Sequence, residues 1–163
     1  MALEIERKFL TSGEGWRNGE GVLIRQGYLS REPSRTVRIR LAGERGWITI
    51  KGITSGATRA EFEYEIPATD ARSLLTLCEP PLLEKRRHRI KHGNHWWDVD
   101  EFLGDNAGLV VAEVELAAED EPFERPPWLG AEVTSDRRYF NSNIAQCPYR
   151  KWPDVASGGA ASI

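Results

Sequence analysis

Charged and apolar residues alternate with a period of two along much of this chain. In Glu4-Ile5-Glu6-Arg7-Lys8-Phe9, an extended backbone puts Glu4, Glu6 and Lys8 on one face and Ile5 and Phe9 on the other. The pattern recurs. Arg38 and Arg40 flank Ile39, with Val37 and Leu41 on its face, and Lys51 follows Trp47-Ile48-Thr49-Ile50. Glu61, Glu63 and Glu65 alternate with Phe62, Tyr64 and Ile66. Lys85, Arg87 and Arg89 share a parity, Asp98 and Asp100 flank Val99, and Glu113 and Glu115 flank Val114. Seven short segments therefore carry charge on one face and mostly apolar residues on the other.

An antiparallel sheet with one face in water would also be charged there. Three details favour an enclosed face. The signs are segregated by segment, whereas solvated faces usually mix them. Arginine outnumbers lysine, as suits planar recognition of phosphate oxygens. Carboxylates also sit together at i, i+2, where they repel one another unless a cation intervenes. Closing such a sheet gathers the charged faces into one lumen, so the pattern predicts a mostly antiparallel β-barrel with a polar interior. Its apolar outer faces would be covered by helices and loops.

Between the strands, 11–20 reads as a Gly-rich loop and 22–29 as a second strand. Residues 43–46 form a hairpin connection, and 52–58 another loop. Residues 69–78 space Ala71, Leu74, Leu75 and Cys78 as a helix does, with Pro80-Pro81 as the stop. His92-Gly93-Asn94-His95 is a tight turn joining strands at 85–90 and 96–102. Residues 117–127 read as an acidic, Pro-rich surface connection, 142–146 as a short helix, and 156–163 as a disordered tail. One domain over residues 1–155 accounts for the whole pattern.

Composition narrows the function. A chain of 163 residues suffices for one well-buried core. A net charge of −3 argues against a nucleic-acid surface while leaving room for a basic interior site. No apolar run approaches a membrane span and no signal-peptide segment opens the chain, so a cytoplasmic location and no membrane partner are expected. Cys78 and Cys147 lack metal-ligand spacing and read as a free, reduced pair. His92 and His95 are expected in solvent. Trp47 and Trp97 are assigned to the apolar outer face, whereas Trp96 falls on the Asp98 face and would line a tunnel mouth. Tyr28 and Tyr139 either donate to a phosphate or carboxylate or pack half-buried. There is no GxxxxGK[ST] or GxGxxG, so a Gly-rich nest is not the phosphate binder.

These motifs together resemble the CYTH family, the triphosphate tunnel metalloenzymes. The ExExK of Glu4, Glu6 and Lys8 is similar to its signature, followed in order by Arg38-x-Arg40, Thr49-Ile50-Lys51, Glu61-x-Glu63, Lys85-x-Arg87, Asp98-x-Asp100 and Glu113-x-Glu115. The stretch 132–143 looks like the family's tail, and the resemblance spans roughly residues 2–152. It implies an α+β, mainly β fold: an antiparallel eight-stranded barrel forming a polar tunnel with a few flanking helices. It also implies hydrolysis or rearrangement of triphosphates with Mg²⁺ or Mn²⁺.

On that resemblance, Lys8, Arg38, Arg40, Lys51, Lys85 and Arg87 bind substrate, with Lys8, Arg40, Lys85 and Arg87 catalytic. Glu4, Glu6, Glu63, Glu113 and Glu115 form the metal set. Phosphoryl transfer needs positioning and charge stabilisation above all, which such a cradle supplies. The expected reaction is hydrolysis of tripolyphosphate to phosphate and diphosphate, the partner being a small-molecule triphosphate and a homodimer being compatible. Nucleoside or thiamine triphosphate hydrolysis, class IV adenylyl cyclisation and plain polyphosphate binding are the alternatives. The stretch 139–152 would either close one tunnel opening or pack on the outer apolar face.

Overall fold

The structure, a computed structural model, describes residues 3–153. Alternation becomes strand almost wherever the sequence shows it. The strands are β1 (Leu3–Thr11), β2 (Val22–Ser30), β3 (Thr36–Ala42), β4 (Arg45–Lys51), β5 (Thr58–Ile66), β6 (Glu79–His92), β7 (His95–Phe102), β8 (Val110–Glu115) and β9 (Leu129–Glu132). Two short helices accompany them, α1 (Ala68–Leu75) and α2 (Asn141–Gln146). Neighbours run in the order β5-β4-β3-β2-β6-β7-β8-β1, and β1 pairs with β5 to close the ring. The seam joins Leu3 to Ala60 and Ile5 to Thr58. All these pairings are antiparallel, giving a closed eight-stranded barrel, and β9 adds to β1 as one further strand.

Register carries the charged faces inward as a set. Glu6 lies opposite Glu115 and Lys8 opposite Glu113. Arg38 faces Thr49, which faces Glu63, and Lys51 faces Glu61. Arg87 faces Asp100, Arg89 faces Asp98, and Asp98 faces Glu113. Since a one-residue slip would turn every side chain to the opposite face, this agreement across strands fixes the lumen.

Apolar residues pack in three places. Phe9, Trp97, Val99, Ala112 and Val114 meet Trp16 and Trp128 from the flanking loops. Ile39 and Leu41 meet Ala71, Leu75 and Cys78 under α1. Gly46 lets that helix approach, because a Cβ there would fall 2.5 Å from the Ala71 methyl. The third cluster fills the barrel end where β6, β7 and β8 meet α2, with Leu83, Phe102, Leu109 and Val111 against Ile144, Ala145 and Trp152. The stretch 139–152 thus packs, but on the tunnel end and not on the outer wall.

Several expectations need correction. The helix expected at 69–78 ends at Leu75, and Pro80-Pro81 lies inside β6. Pairing of β6 with β7 begins only at Lys85, and its ladder with β2 is irregular between Glu79 and Leu83, so the prolines sit where neither ladder needs their missing N–H. The apolar outer faces are not all covered, since Ile50, Phe62 and Tyr64 on β4 and β5 are exposed. The eight residues of α1 pack mainly on β2, β3 and β4 and leave most of β5 open. Trp47 is opposite Arg40, so it belongs to the lumen face and not to the outer one. His95 is largely buried through its bond with Glu121. Cys78 is buried and Cys147 exposed, both free. The tail expected at 156–163 lies outside the described residues.

Candidate functional site

The lumen is a lattice of ion pairs built from alternate positions of seven strands, with β2 adding the uncharged Gln26 and Tyr28. On one wall the Lys8 ammonium donates to Glu113 at 2.7 Å and to Glu6 at 3.1 Å. Beside them Lys51 donates to Glu4 at 2.7 Å and lies 3.5 Å from Glu61. Further round the barrel, on β6 and β7, Arg87 grips Asp100 with two parallel bonds of 2.8 and 2.9 Å, and Lys85 adds a third at 2.7 Å. Lys85 and Asp100 are both fully buried.

Two arginines are held differently. Arg40 donates from Nε to the amide oxygen of Gln26 at 3.1 Å, a neutral partner. Arg38 reaches Thr49 Oγ1 at 3.1 Å and Glu63 at 3.5 Å, while its Nε is buried without an acceptor. Burying a donor with no acceptor is unfavourable by about 1–3 kcal/mol, more for a charged group. These two guanidinium groups therefore face the lumen with donor capacity to spare.

The carboxylates divide into two kinds. Burial opposes ionisation of Glu113 and Asp100, but Lys8, Arg87 and Lys85 hold Glu113 well below the usual carboxylate range, and Arg87 and Lys85 do the same for Asp100. Burial likewise opposes ionisation of Glu4, which Lys51 overcomes. Glu6 goes the other way: burial, then the neighbouring Glu113 charge, push it up to about 8. Burial and then Glu4 raise Glu61 to about 7. Glu115 and Asp98 are also raised, chiefly by burial. Among the cations, burial pushes Lys85 down to about 7 in spite of Asp100.

Every basic residue singled out from the sequence lines this interior. Of the acidic set, Glu4, Glu6 and Glu113 come together around Lys8 and Lys51, and Glu115 lies opposite Glu6. Glu63 is placed apart from Glu4: it accepts from Thr49 at 2.7 Å and lines the opening shared by Trp47, Arg40 and Arg87. Glu61, outside the expected metal set, lies beside Glu4. Among the described residues, no three acidic, histidine or cysteine side chains are gathered as a ready-made ligand set.

Two interior residues carry no charge: Gln26 was not singled out, and Asn141 was expected only as one of the rim-bonding groups of the stretch 139–152. Gln26 is fully buried between Arg40 and α2, and Asn141 at the start of α2 accepts from Lys85 at 2.9 Å and from Gln26 at 3.3 Å. Only the parity of Gln26 with Tyr28, which lines the same cavity as Lys8 and Arg38, could have flagged it. Trp96 lies half-exposed at the other opening with Arg89 stacked on it, as its parity suggested.

Comparison with known proteins agrees with this barrel. The model of the CYTH domain matches residues 2–145. The chain belongs to the CYTH domain family. It is 45% identical over 156 residues to an inorganic triphosphatase of Acetivibrio thermocellus, covering 94% of this chain and all of that protein. An inorganic triphosphatase of Nitrosomonas europaea is 37% identical over 149 residues, covering 87% of this chain and 96% of its own length. The crystal structure of an inorganic triphosphatase superposes with a TM-score of 0.61 at 36% identity, over 87% of this chain and 97% of that one. A protein from Pyrococcus horikoshii OT3, 18% identical with a TM-score of 0.56, covers 72% of this chain and 80% of its own and shares the fold alone.

Proposed function

We propose that this CYTH barrel hydrolyses inorganic tripolyphosphate to phosphate and diphosphate. The observation that carries the reading is the pair Arg38 and Arg40, inward guanidinium groups with spare donors in a lumen where Lys8, Lys51, Lys85 and Arg87 also converge. A triphosphate chain offers the acceptors and negative charge this wall lacks. Near-full-length similarity to two inorganic triphosphatases supports the same substrate class.

The chemistry asked of the chain is positioning and charge stabilisation. Arg38 and Lys51 would hold the phosphates that do not react. Lys8, Arg40, Lys85 and Arg87 would face the transferred group, where charge develops. Asp100 keeps Arg87 and Lys85 fixed in direction, so their donors need little reorganisation during reaction.

The acidic wall fits a divalent cation. Its donors are all carboxylate oxygens, the choice of hard cations such as Mg²⁺ or Mn²⁺. Glu6 is raised first by burial and then by the Glu113 and Glu4 charges, a cost that a cation among these carboxylates would relieve. Glu4, Glu6 and Glu113, with Glu115 or Glu61, would hold the metal. Bound there, it would neutralise phosphate charge and lower the pKa of a coordinated water. Glu63 serves better as a partner of Arg38 at the opening.

The partner is a small molecule, since the basic groups lie inside a barrel whose overall charge is −3. No helix among the described residues is long and apolar enough to cross a membrane, and two free cysteines suit a reducing, cytoplasmic setting. One assay tests the reading: phosphate release from tripolyphosphate, ATP and thiamine triphosphate, each with Mg²⁺, Mn²⁺ or EDTA. Tripolyphosphate is expected to turn over fastest, and only with metal. Equal or faster release from ATP or thiamine triphosphate would overturn the substrate assignment.

A further inference from the structure

The geometry points to Asn141 as a positioning residue for this reaction, orienting Lys85 directly and Arg40 through Gln26. The inference rests on the hydrolytic reading above and concerns a helix whose packing alone would call for nothing polar at this place. Ile144, Ala145 and Trp152 already seal the barrel end against Leu83, Phe102 and Val111. Asn141, by contrast, sends its amide oxygen into the lumen.

The hydrogen-bond arithmetic is tight. A carbonyl oxygen has two lone pairs, and Asn141 Oδ1 uses one for Lys85 Nζ at 2.9 Å and the other for Gln26 Nε2 at 3.3 Å. Gln26 Nε2 is thereby turned toward α2, which leaves Gln26 Oε1 facing Arg40 Nε at 3.1 Å. An amide flip at Gln26 would set a donor against Arg40, so the direction of the relay is fixed by the two ends. An ammonium has three donors. Asp100 takes one at 2.7 Å and Asn141 a second, so the remaining N–H has a set direction.

Charge explains why the acceptor is an amide. The groups acting on Lys85 are Asp100, Arg87, Arg40 and Glu113. A carboxylate at position 141 would orient the ammonium equally well but would cancel its charge and repel the phosphate chain. A neutral oxygen fixes direction and leaves the charge for the substrate. The same holds for Gln26 beneath Arg40.

Asn141→Leu, Asn141→Asp, Gln26→Leu and the double Leu variant test this in the full chain. Asn141→Leu keeps shape and removes the acceptor; its kcat on tripolyphosphate is expected to fall at least tenfold, with a lowered melting temperature from the unsatisfied Lys85 and Gln26 donors but a barrel fully folded at the assay temperature. Asn141→Asp keeps the acceptor and adds charge. It is expected to raise KM for tripolyphosphate several-fold, lose less kcat than the Leu variant and shift the alkaline limb of the pH–rate profile upward. The two Leu changes should be non-additive in kcat, because they break one relay. Full kcat in Asn141→Leu, or simple additivity of the two changes, would overturn the positioning role. Should Asn141→Leu fold poorly, the Asp variant still decides, since a purely structural Asn141 would leave KM and the pH profile unmoved. Wild-type turnover is the separate control: if it is absent, the hydrolytic reading fails, and the relay is then judged by tripolyphosphate affinity in calorimetry. Unchanged affinity across all variants would sink it too.

Discussion

The Lys51 ammonium reaches across β5 to the Glu4 carboxylate, 2.7 Å away, and so ties β4 to the strand that closes the barrel. The bond joins the basic and acidic walls at the seam itself. Any cation that takes Glu4 must compete with Lys51, and any phosphate that takes Lys51 loosens Glu4. Metal and substrate are therefore expected to bind better together than alone. Titration of tripolyphosphate in calorimetry, with a non-hydrolysing level of enzyme variant and with or without Mg²⁺, checks this; equal affinities would refute it.

Removing a carboxylate from the acidic wall should abolish metal-dependent turnover while leaving the fold intact. Glu6→Ala is the informative change, because burial and Glu113 already hold Glu6 against its own ionisation. Its loss relieves repulsion, so the metal-free variant should melt no lower than the parent, and activity should drop by 10²-fold or more. Retained Mg²⁺-dependent activity in this variant would show that Glu6 is not a ligand.

Arg40 and Arg87 separate binding from scaffold. Both were assigned to catalysis from the sequence, yet their partners differ. Arg40 leans on a neutral amide, so Arg40→Ala should depress activity strongly with little change in stability. Arg87 is the half-buried partner of the fully buried Asp100, and removing it leaves that carboxylate short of a counter-charge, a loss of up to about 3 kcal/mol. Lys85 still faces Asp100 and reduces that figure. Arg87→Ala should therefore lose both activity and several degrees of melting temperature, whereas Lys at either site restores charge but not the planar fork. Matching stability in the two Ala variants would contradict the pairing.

What the sequence could and could not show follows from the same interactions. Period-two alternation is a local property, so the strands, the inward faces and the basic and acidic residues were legible before any coordinates. Barrel closure was legible because charge shared by so many faces has no other economical burial. Gln26 was invisible, and Asn141 legible only as a polar group of the stretch 139–152, because their bond spans 115 positions of sequence and neither carries charge. Trp47 was misassigned by one residue of parity, which in a strand is the difference between wall and exterior. Glu61 and Glu63 share a parity, so only the register with Lys51 and Thr49 could assign one to Glu4 and the other to Arg38. The uncovered face of β5 was missed because alternation says where apolar residues point and nothing about what covers them.

Proton linkage gives an expectation for the metal-free protein. Glu6 and Glu61 are raised to about 8 and about 7, so between pH 5 and 6.5 the folded state keeps protons that the unfolded chain has released. Asp98 and Glu115, also raised, act in the same direction. Stability must then fall as pH rises through this window. Lys85, lowered to about 7, is still mostly protonated in the folded state there and opposes the decline only weakly at its upper end. Below the ordinary carboxylate range the sign reverses, because Asp100, Glu113 and Glu4 are lowered and their pairs are lost on protonation. Thermal melts in EDTA should show a maximum near pH 5, and saturating Mg²⁺ should flatten the decline above it. A metal-free melting temperature that climbs from pH 5 to 6.5 would contradict these assignments.

Trp152 anchors the segment that carries Asn141 into the lumen. It is buried, with Tyr139 and Tyr149 edge-on at 5.1 and 5.3 Å, and its indole N–H donates to the Cys147 carbonyl at 2.9 Å. Truncating a buried aromatic of this size typically loses about 3–5 kcal/mol. Here the loss falls on a terminal segment, so part of it is expected as local opening of α2 rather than unfolding of the barrel. Trp152→Ala should therefore lower the melting temperature, and hydrogen exchange should rise first at Ile144 and Ala145 while β6 and β7 stay protected. Opening α2 withdraws Asn141 from Lys85, so kcat on tripolyphosphate should fall even at temperatures where the barrel is fully folded. If the variant melts lower but the folded fraction turns over at the parental rate, the helix would be packing alone, with no hand in the site.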